Sequence, residues 1–348
     1  MRRAVGGLAL AILIVALLVA SGCGGSSPSA TSTPPPAGEE ITVTPDSIEF
    51  GDRLVGSVSG VATDDGDVYV LGRHFEPADG NASSAVLAAF DDGVERWRTT
   101  LDGTPGFVAI ADGDPWVSHS DGTVTRIDSS DGRILDHVTI EHHPSLGLVG
   151  AFGSVWASPR ESFGRPSRLV RIDPDDLSTT GIVELGDCSQ GGDIYFCHAP
   201  VAGAGALWVP LGDGGVAMID PDTNEATVIG VDDIGHEVHR VAVDGDVVYV
   251  ASGYQVTSIV DGEVRATVDT GAISYLGPIA GVFGVLDMAG QFRVLGANDP
   301  MVLEFRDVST EGLARLIGEI DGEAWTGGSP GQNLDLDLRR LEFLPASD

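Results

Sequence analysis

A pattern that returns about every forty residues constrains this chain more than any single motif. Each copy has a small apolar strand, a Gly/Asp turn, a strand carrying an aromatic residue, a second turn and two further strands. Clear copies are FVAIADGDPWVSHSDGTVTRIDSSDGRILDHVTI, VAGAGALWVPLGDGGVAMIDPDTNEATVI and VAVDGDVVYVASGYQVTSIVDGEVRATV. Taking the first strands to begin at Val61, Phe107, Leu148, Val201, Val241, Ile279 and Leu313, the spacings are 46, 41, 53, 40, 38 and 34 residues. A unit of about 40–50 residues is the length of one four-stranded propeller blade. The segments alternate apolar with polar, are rich in Val, Ile and Thr, and show no sustained helical period. Turns such as DDGD, ADGD, SSDG and VDGE supply the positive φ of tight hairpins. The sequence therefore predicts an all-β chain: a seven-bladed β-propeller of four-stranded antiparallel blades.

One aromatic recurs in the second strand of each unit: Tyr69, Trp116, Trp156, Trp208, Tyr249 and Trp325, with Leu286 in its place in unit six. Side chains of this size suit the gap between twisted sheets, so packing of neighbouring blades is the first reading. The seventh unit offers three strands before the chain ends. A spare segment before unit one, IEFGDRLVGSV at 48–58, is expected to add the fourth. The last blade is thus closed by the N-terminal strand, which removes an open edge.

Composition narrows the function. There are 52 Asp+Glu against 19 Lys+Arg, a formal net charge of −33, and every basic residue is Arg. Without surplus cations, phosphate backbones and anionic lipid surfaces are poor partners, so no nucleic acid is expected. The hydrophobic share of 42% is enough for a sizeable core. The missing lysines fit a GC-rich genome or adaptation to salt.

Residues 1–22 read as a signal peptide: Arg2 and Arg3, an apolar run too short to span a bilayer, then Ala20-Ser21-Gly22 before Cys23. Small residues ahead of Cys23 resemble the lipobox of bacterial lipoproteins, which implies that Cys23 is acylated and becomes the mature N-terminus. Residues 23–41 then hold the lipidated Cys and a flexible Gly/Ser/Thr/Pro tether, and 42–348 the propeller. The expected location is extracytoplasmic, anchored to the bacterial cell membrane. In that oxidising compartment Cys188 and Cys197 would close a disulfide contributing about 2–3 kcal/mol. Two free buried thiols are the alternative.

The runs DPWVSHSDGTVTRIDSSDGRIL, SVWA…RLVRIDPDDLSTTGIV and ALWV…GGVAMIDPDTNEATVI resemble the YVTN and virginiamycin B lyase-like seven-bladed propellers over residues 48–345. Such folds host lyases, sensors and scaffolds, so the resemblance implies a fold more than a function. VLAAFDDGVERWRTTL, at 86–101, resembles the tryptophan-docking repeat of quinoprotein-like propellers, with Trp97 as the docking residue. A single copy in a chain of this length does not imply a quinone cofactor.

The loops joining an outer strand to the next inner strand line one mouth of a propeller channel. Here they fall at 101–106, 141–146, 186–200, 231–240, 270–278 and 306–312. The candidates for a ligand or metal are Glu141, His142, His143, His198, His236, Glu237 and His239. Imidazoles and carboxylates are the side chains that hold divalent metals or move protons. No cofactor is demanded, and a divalent metal is the one these residues could hold. The spacing matches no zinc motif, and the plainer reading is a set of exposed polar loop residues. The family resemblance would imply a His base beside magnesium, but no catalytic residue can be matched. DPDD at 173–176 and DPDTNE at 220–225 lack the full calcium-loop pattern and read as hairpin turns. The expected role is a monomeric module binding or scaffolding an extracytoplasmic protein or small molecule. The alternative is a lyase-like or hydrolytic enzyme using a His/acid-lined mouth.

Overall fold

The computed structural model describes residues 42–49, 56–75, 82–140, 145–159, 167–186, 200–231, 238–295, 305–308, 316–320, 323–328 and 337–344, apart from short turns within those spans. Strand β1 (Thr42–Glu49) belongs to the last sheet described below. The first sheet holds β2 (Gly56–Asp64), β3 (Asp67–Phe75), β4 (Ala82–Asp91) and β5 (Val94–Leu101). The second holds β6 (Pro105–Ala111), β7 (Asp114–His119), β8 (Thr123–Ile127) and β9 (Ile134–Thr139). The third holds β10 (Ser145–Ala151), β11 (Ser154–Pro159), β12 (Ser167–Ile172) and β13 (Thr179–Gly186). The fourth holds β14 (Val201–Gly203), β15 (Ala206–Leu211), β16 (Gly215–Ile219) and β17 (Ala226–Gly230). The fifth holds β18 (Val238–Asp244), β19 (Val247–Ser252), β20 (Gln255–Val260) and β21 (Glu263–Asp269). The sixth holds β22 (Ile273–Ile279), β23 (Val282–Asp287), β24 (Phe292–Leu295) and β25 (Phe305–Val308). The last has the order β1–β28–β27–β26, with β26 (Leu316–Ile320), β27 (Glu323–Gly328) and β28 (Asp337–Leu344). Every pairing is antiparallel.

Each first strand lies against the first strand of the following sheet: β2 by β6, β6 by β10, β10 by β14, β14 by β18, β18 by β22, β22 by β26, and β26 by β2. The core lies between the facing sheets. Because side chains alternate along a strand, Trp116 in β7 packs toward Leu148, Val155 and Ile172 of the third sheet. Its neighbour Val117 packs the other way, with Tyr69, Leu71 and Leu87 of the first. Burial on both faces explains why second strands such as β7, β15 and β19 are almost continuously buried, whereas β9 and β17 are mostly exposed.

The recurrent aromatics hold the sheets together with repeated bonds. Trp116, Trp156 and Trp208 each donate Nε1 to the carbonyl five residues back, on Ala111, Ala151 and Gly203, at 3.2, 3.2 and 3.0 Å. Arg126 lies over Trp116 and donates to the Pro174 carbonyl of the next sheet at 2.6 Å. Arg171 repeats this over Trp156, reaching the Pro221 carbonyl at 2.7 Å. Trp97 docks as the quinoprotein-like segment implies: its Nε1 donates to Ser129 of the second sheet at 2.8 Å. Its ring fills the space above Gly132, where an added Cβ would sit 2.5 Å from Cε3.

Three details differ from the sequence reading. The strand paired with β28 is 42–49, and residues 56–58 open β2, so 48–58 does not form one closing strand. The alternation of TVTPDSIE was obscured by Pro45, which an outermost strand tolerates. In unit six, the first strand runs Ile273–Ile279 and does not begin at Ile279, so most of the expected mouth loop at 270–278 is strand. Gly277 and Pro278 gave that stretch the look of a loop. Consequently Gly284, not Leu286, stands at the register of the other aromatics. Phe283 fills the space instead, stacking on Tyr249 with centroids 4.3 Å apart.

Candidate functional site

First strands begin, second strands end, and the connections between sheets run at one end of the sheets, the end that the sequence reading expected to be the mouth. The geometry starts with irregular backbone. Six of the seven first strands shift register near their starts: at Val58/Gly60, Pro105/Val108, Ser145/Gly147, Val238/Arg240, Ile273/Tyr275 and Leu316/Gly318. A bulge of this kind bends the strand and re-aims a residue, and bulges gather at rims and sites. His239 is the extra residue of β18, between Val238 opposite Ser252 and Arg240 opposite Ala251. Glu141, His142, His143, His198, His236 and Glu237 lie outside the described residues, as do Cys23, Cys188 and Cys197.

Behind the bulges, the ends of the second strands carry polar side chains in an apolar wall. In the second sheet the Ser118 hydroxyl accepts the Phe107 N–H of the bulge at 3.0 Å. Ser158 of β11 and Ser252 of β19 are equally buried, and among the described residues their Oγ atoms have no hydrogen-bond partner. His119 is only 4% exposed and pairs Nε2 with Thr125 Oγ1 at 3.0 Å. Ser158, Ser252 and His119 therefore all sit at the mouth end of second strands. Burial pushes the His119 pKa below its ordinary value, opposed by Asp121 and Asp102. A buried neutral imidazole can still donate or accept one bond at Nδ1.

The turns above are laced together. Ser120 donates to Thr104 at 2.8 Å and Ile140 to Gly122 at 2.9 Å, tying the second sheet's inner turn to the connections on both sides. In the fifth sheet Thr270 donates to the Tyr254 carbonyl at 2.6 Å. That turn presents Tyr254 outward, 59% exposed, on the same sheet and at the same end as His239 and Ser252. An exposed aromatic at a mouth is a typical recognition group.

Sequence reasoning missed His119, Ser158, Ser252 and Tyr254. A usable signal was present: PWVSH, SVWASP and VVYVAS each end an apolar strand on polar atoms. The reading of the Asp-rich turns holds. Asp173 accepts the Asp175 N–H at 2.8 Å, and Asp220 accepts those of Asp222 and Thr223 at 2.8 and 3.0 Å. These bonds hold the Asp220 carboxyl below the usual carboxylate range. Among the described residues no group of three or more His, Cys, Asp or Glu is arranged around a metal position.

No protein-family model matches the chain. No curated protein matches it. Solved structures do. BamB from Moraxella catarrhalis superposes with a TM-score of 0.58 at 18% identity, over 83% of this chain and 86% of that one. The Pan2 WD40 domain of Neurospora crassa gives 0.59 at 10% identity, over 88% and 98%. A catalytically inactive virginiamycin B lyase from Staphylococcus aureus, crystallised with quinupristin, gives 0.57 at 16% identity, over 88% and 100%. With the stacked four-stranded sheets, these likenesses define the fold as a β-propeller. A β-propeller is the fold that the quoted repeats led us to expect.

Proposed function

We propose that this chain is an extracytoplasmic, lipid-anchored, seven-bladed β-propeller that binds or scaffolds a protein partner through its mouth. The seven four-stranded sheets and the cyclic order of first-strand neighbours support seven blades in a ring. Pairing of β1 with β28 supports closure by an N-terminal strand. Cys23, the tether at 24–41 and the Cys188–Cys197 disulfide complete the reading from sequence, and the folded part acts as a monomer. Fold likeness to BamB and a WD40 domain supports a scaffold.

The observation that carries the mouth assignment is the fifth sheet's combination of an exposed Tyr254, a buried unsatisfied Ser252 and the bulge residue His239. Photo-crosslinking in the cell envelope tests it, with the reactive amino acid at position 254 and, as control, at 113 on the opposite end. A discrete protein adduct from 254 alone supports the mouth. Adducts from 113 alone, or from neither, refute it. A Cys23→Ala variant should leave the membrane fraction; unchanged fractionation refutes the anchor.

A second reading has one observation in its favour, the fold likeness to a lyase. On that reading Glu141, His142, His143, His198, His236, Glu237 and His239 would hold a divalent metal on the arc of the third to fifth sheets. Calorimetry with magnesium, calcium, manganese and zinc decides it. Binding that weakens as the imidazoles protonate near pH 6.5 supports this reading, and no binding removes it.

A further inference from the structure

Exposed apolar side chains in the described residues are not scattered. Val94, Ile134, Leu135, Ile182, Val228 and Val264 all lie on outermost strands, spread over five consecutive sheets. The other large exposed hydrophobic is Tyr254, at the mouth. An outermost strand is also an edge, and natural edges are commonly blunted by Lys, Pro or inward charges. This chain has no Lys. Strand β5 is guarded, since Arg98 pairs with Glu95 and Arg96 with Asp67. Strand β21 carries Glu263, Arg265 and Asp269, with Arg265 paired to Glu263. Among the described outermost strands, β17 alone has neither a charged residue nor Pro. Its sequence, ATVIG, has no charge and no Pro, and its burial pattern is exposed at four of five positions. Val228 at its centre is 58% exposed, and β13 alongside it exposes Ile182 at 52%.

We infer that β17 is a docking edge that accepts an extended, cationic, β-branched segment of a partner protein as a fifth strand of the fourth sheet. Backbone pairing supplies the adhesion in strand addition, and alternate side chains supply the selectivity. On β17 Val228 shares a face with Ala226 and Gly230, and an added strand would set an apolar side chain beside it. Charge decides the sign of the partner. The chain carries −33 overall. The turn that enters β17 carries the acids Asp220, Asp222 and Glu225, and β13 beside it carries Glu184, opposite Arg168. An acidic or neutral strand gains nothing from that field, whereas an Arg- or Lys-bearing strand is drawn to it. The same field repels a second copy of this chain, which disfavours edge-to-edge pairing of identical molecules. This surface lies away from the mouth, at the opposite side of the fourth sheet from β14. It shares with the proposed scaffold role only the need for a protein partner.

The test uses the full chain and a synthetic eight-residue peptide alternating valine with arginine and threonine, alongside an analogue with glutamate for arginine. Amide hydrogen exchange should show protection at Ala226–Gly230 with the cationic peptide and none with the acidic one. Added salt should weaken binding as the charges are screened. Val228→Arg, at a position 58% exposed, should lower the peptide affinity by about tenfold or more, by placing a cation at the docking position. Val228→Thr, keeping shape and strand preference, should change it far less. His239→Ala at the mouth should leave it unchanged, which separates failure here from failure of the mouth assignment. Protection confined to other strands, equal binding of both peptides, or an unaffected Val228→Arg would overturn the proposal. So would sedimentation showing self-association that Val228→Arg abolishes, because the occupant would then be a second copy.

Discussion

Gly150 offers a sharp test of how tightly the first strands pack. It lies in β10 opposite Val155, and its backbone is outside the left-handed region, so a side chain there meets no conformational objection. The objection is steric. A Cβ at this position would fall 1.6 Å from the Ile110 carbonyl oxygen of β6, 2.5 Å from its carbon and 2.9 Å from Ala111 Cβ. Ordinary contact begins at 3.4 Å, so β6 and β10 would have to part by up to 1.8 Å, the difference between 3.4 and 1.6. The obstacle is backbone and cannot rotate away. Parting the strands loosens the cluster of Ala109, Ala111, Trp116, Leu148 and Val155. Overpacking against movable side chains costs about 1–3 kcal/mol. Against backbone we expect Gly150→Ala to cost about 3–5 kcal/mol, in the tail of single-residue effects. Gly153→Ala is the control, with φ +64 and nothing within 4 Å of the added atom. Its cost is the left-handed penalty alone, about 1–2 kcal/mol. Urea unfolding followed by tryptophan fluorescence, with equal m values required, measures both. A Gly150→Ala loss no greater than that of Gly153→Ala would refute close approach of the two strands.

Three further outcomes follow from the same geometry. Gly132→Ala should cost about 2–4 kcal/mol, because the methyl strikes the Trp97 ring at φ +76, and Trp97 fluorescence should shift as the ring is displaced. Arg171→Met keeps the stem but loses the bonds to Ser154 and the Pro221 carbonyl and the contact over Trp156; chemical denaturation should show a loss of about 1–3 kcal/mol. His119 resists protonation in the fold, since burial holds its pKa below the ordinary 6.5. Its contribution to stability is therefore complete above that value and drains away as pH falls below it. Unfolding midpoints measured across that range should flatten in His119→Gln, and an unchanged slope would count against the assignment.

The hairpins were the most legible part of the sequence, because turn chemistry is local. Asp112-Gly113 and Asp261-Gly262 were readable as tight turns, and both residues of each pair take positive φ. Phe152-Gly153 and Ala204-Gly205 adopt the same geometry with less typical first residues, carried by the glycine and the flanking strands. The aromatic position was legible because its period is that of the repeat. Registers were less so. Ile273–Ile279 contains Gly277 and Pro278, which argue locally for a loop, yet tertiary pairing with β23 makes it a strand. The bulges were not legible at all, since a shifted register is a property of two strands and one side of it is set by contacts between sheets. His119 was passed over because a histidine ending an apolar strand carries no local signature; its burial depends on the turn at Asp102–Thr104 folding across it.

The way the core is built also limits where function can reside. Second and third strands are sandwiched on both faces, and their large side chains are committed: Trp116 to the third sheet, Val117 to the first, Trp156 to the fourth. A substitution there alters stability before it alters binding. Chemistry is left to places where the repeat does not dictate the residue, namely the mouth turns and the outer edges. At the mouth the repeat is broken by bulges, and among the described residues buried hydroxyls without partners remain under the turns. At the rim the outermost strand of each sheet pairs with one strand only, so its composition drifts from the charged, ion-paired β5 to the uncharged β17. Two surfaces with different chemistry thus arise from one repeat. A scaffold can hold one partner at the mouth by shape and polar contacts and another at the rim by backbone pairing, with the rigid sheets between them fixing the distance.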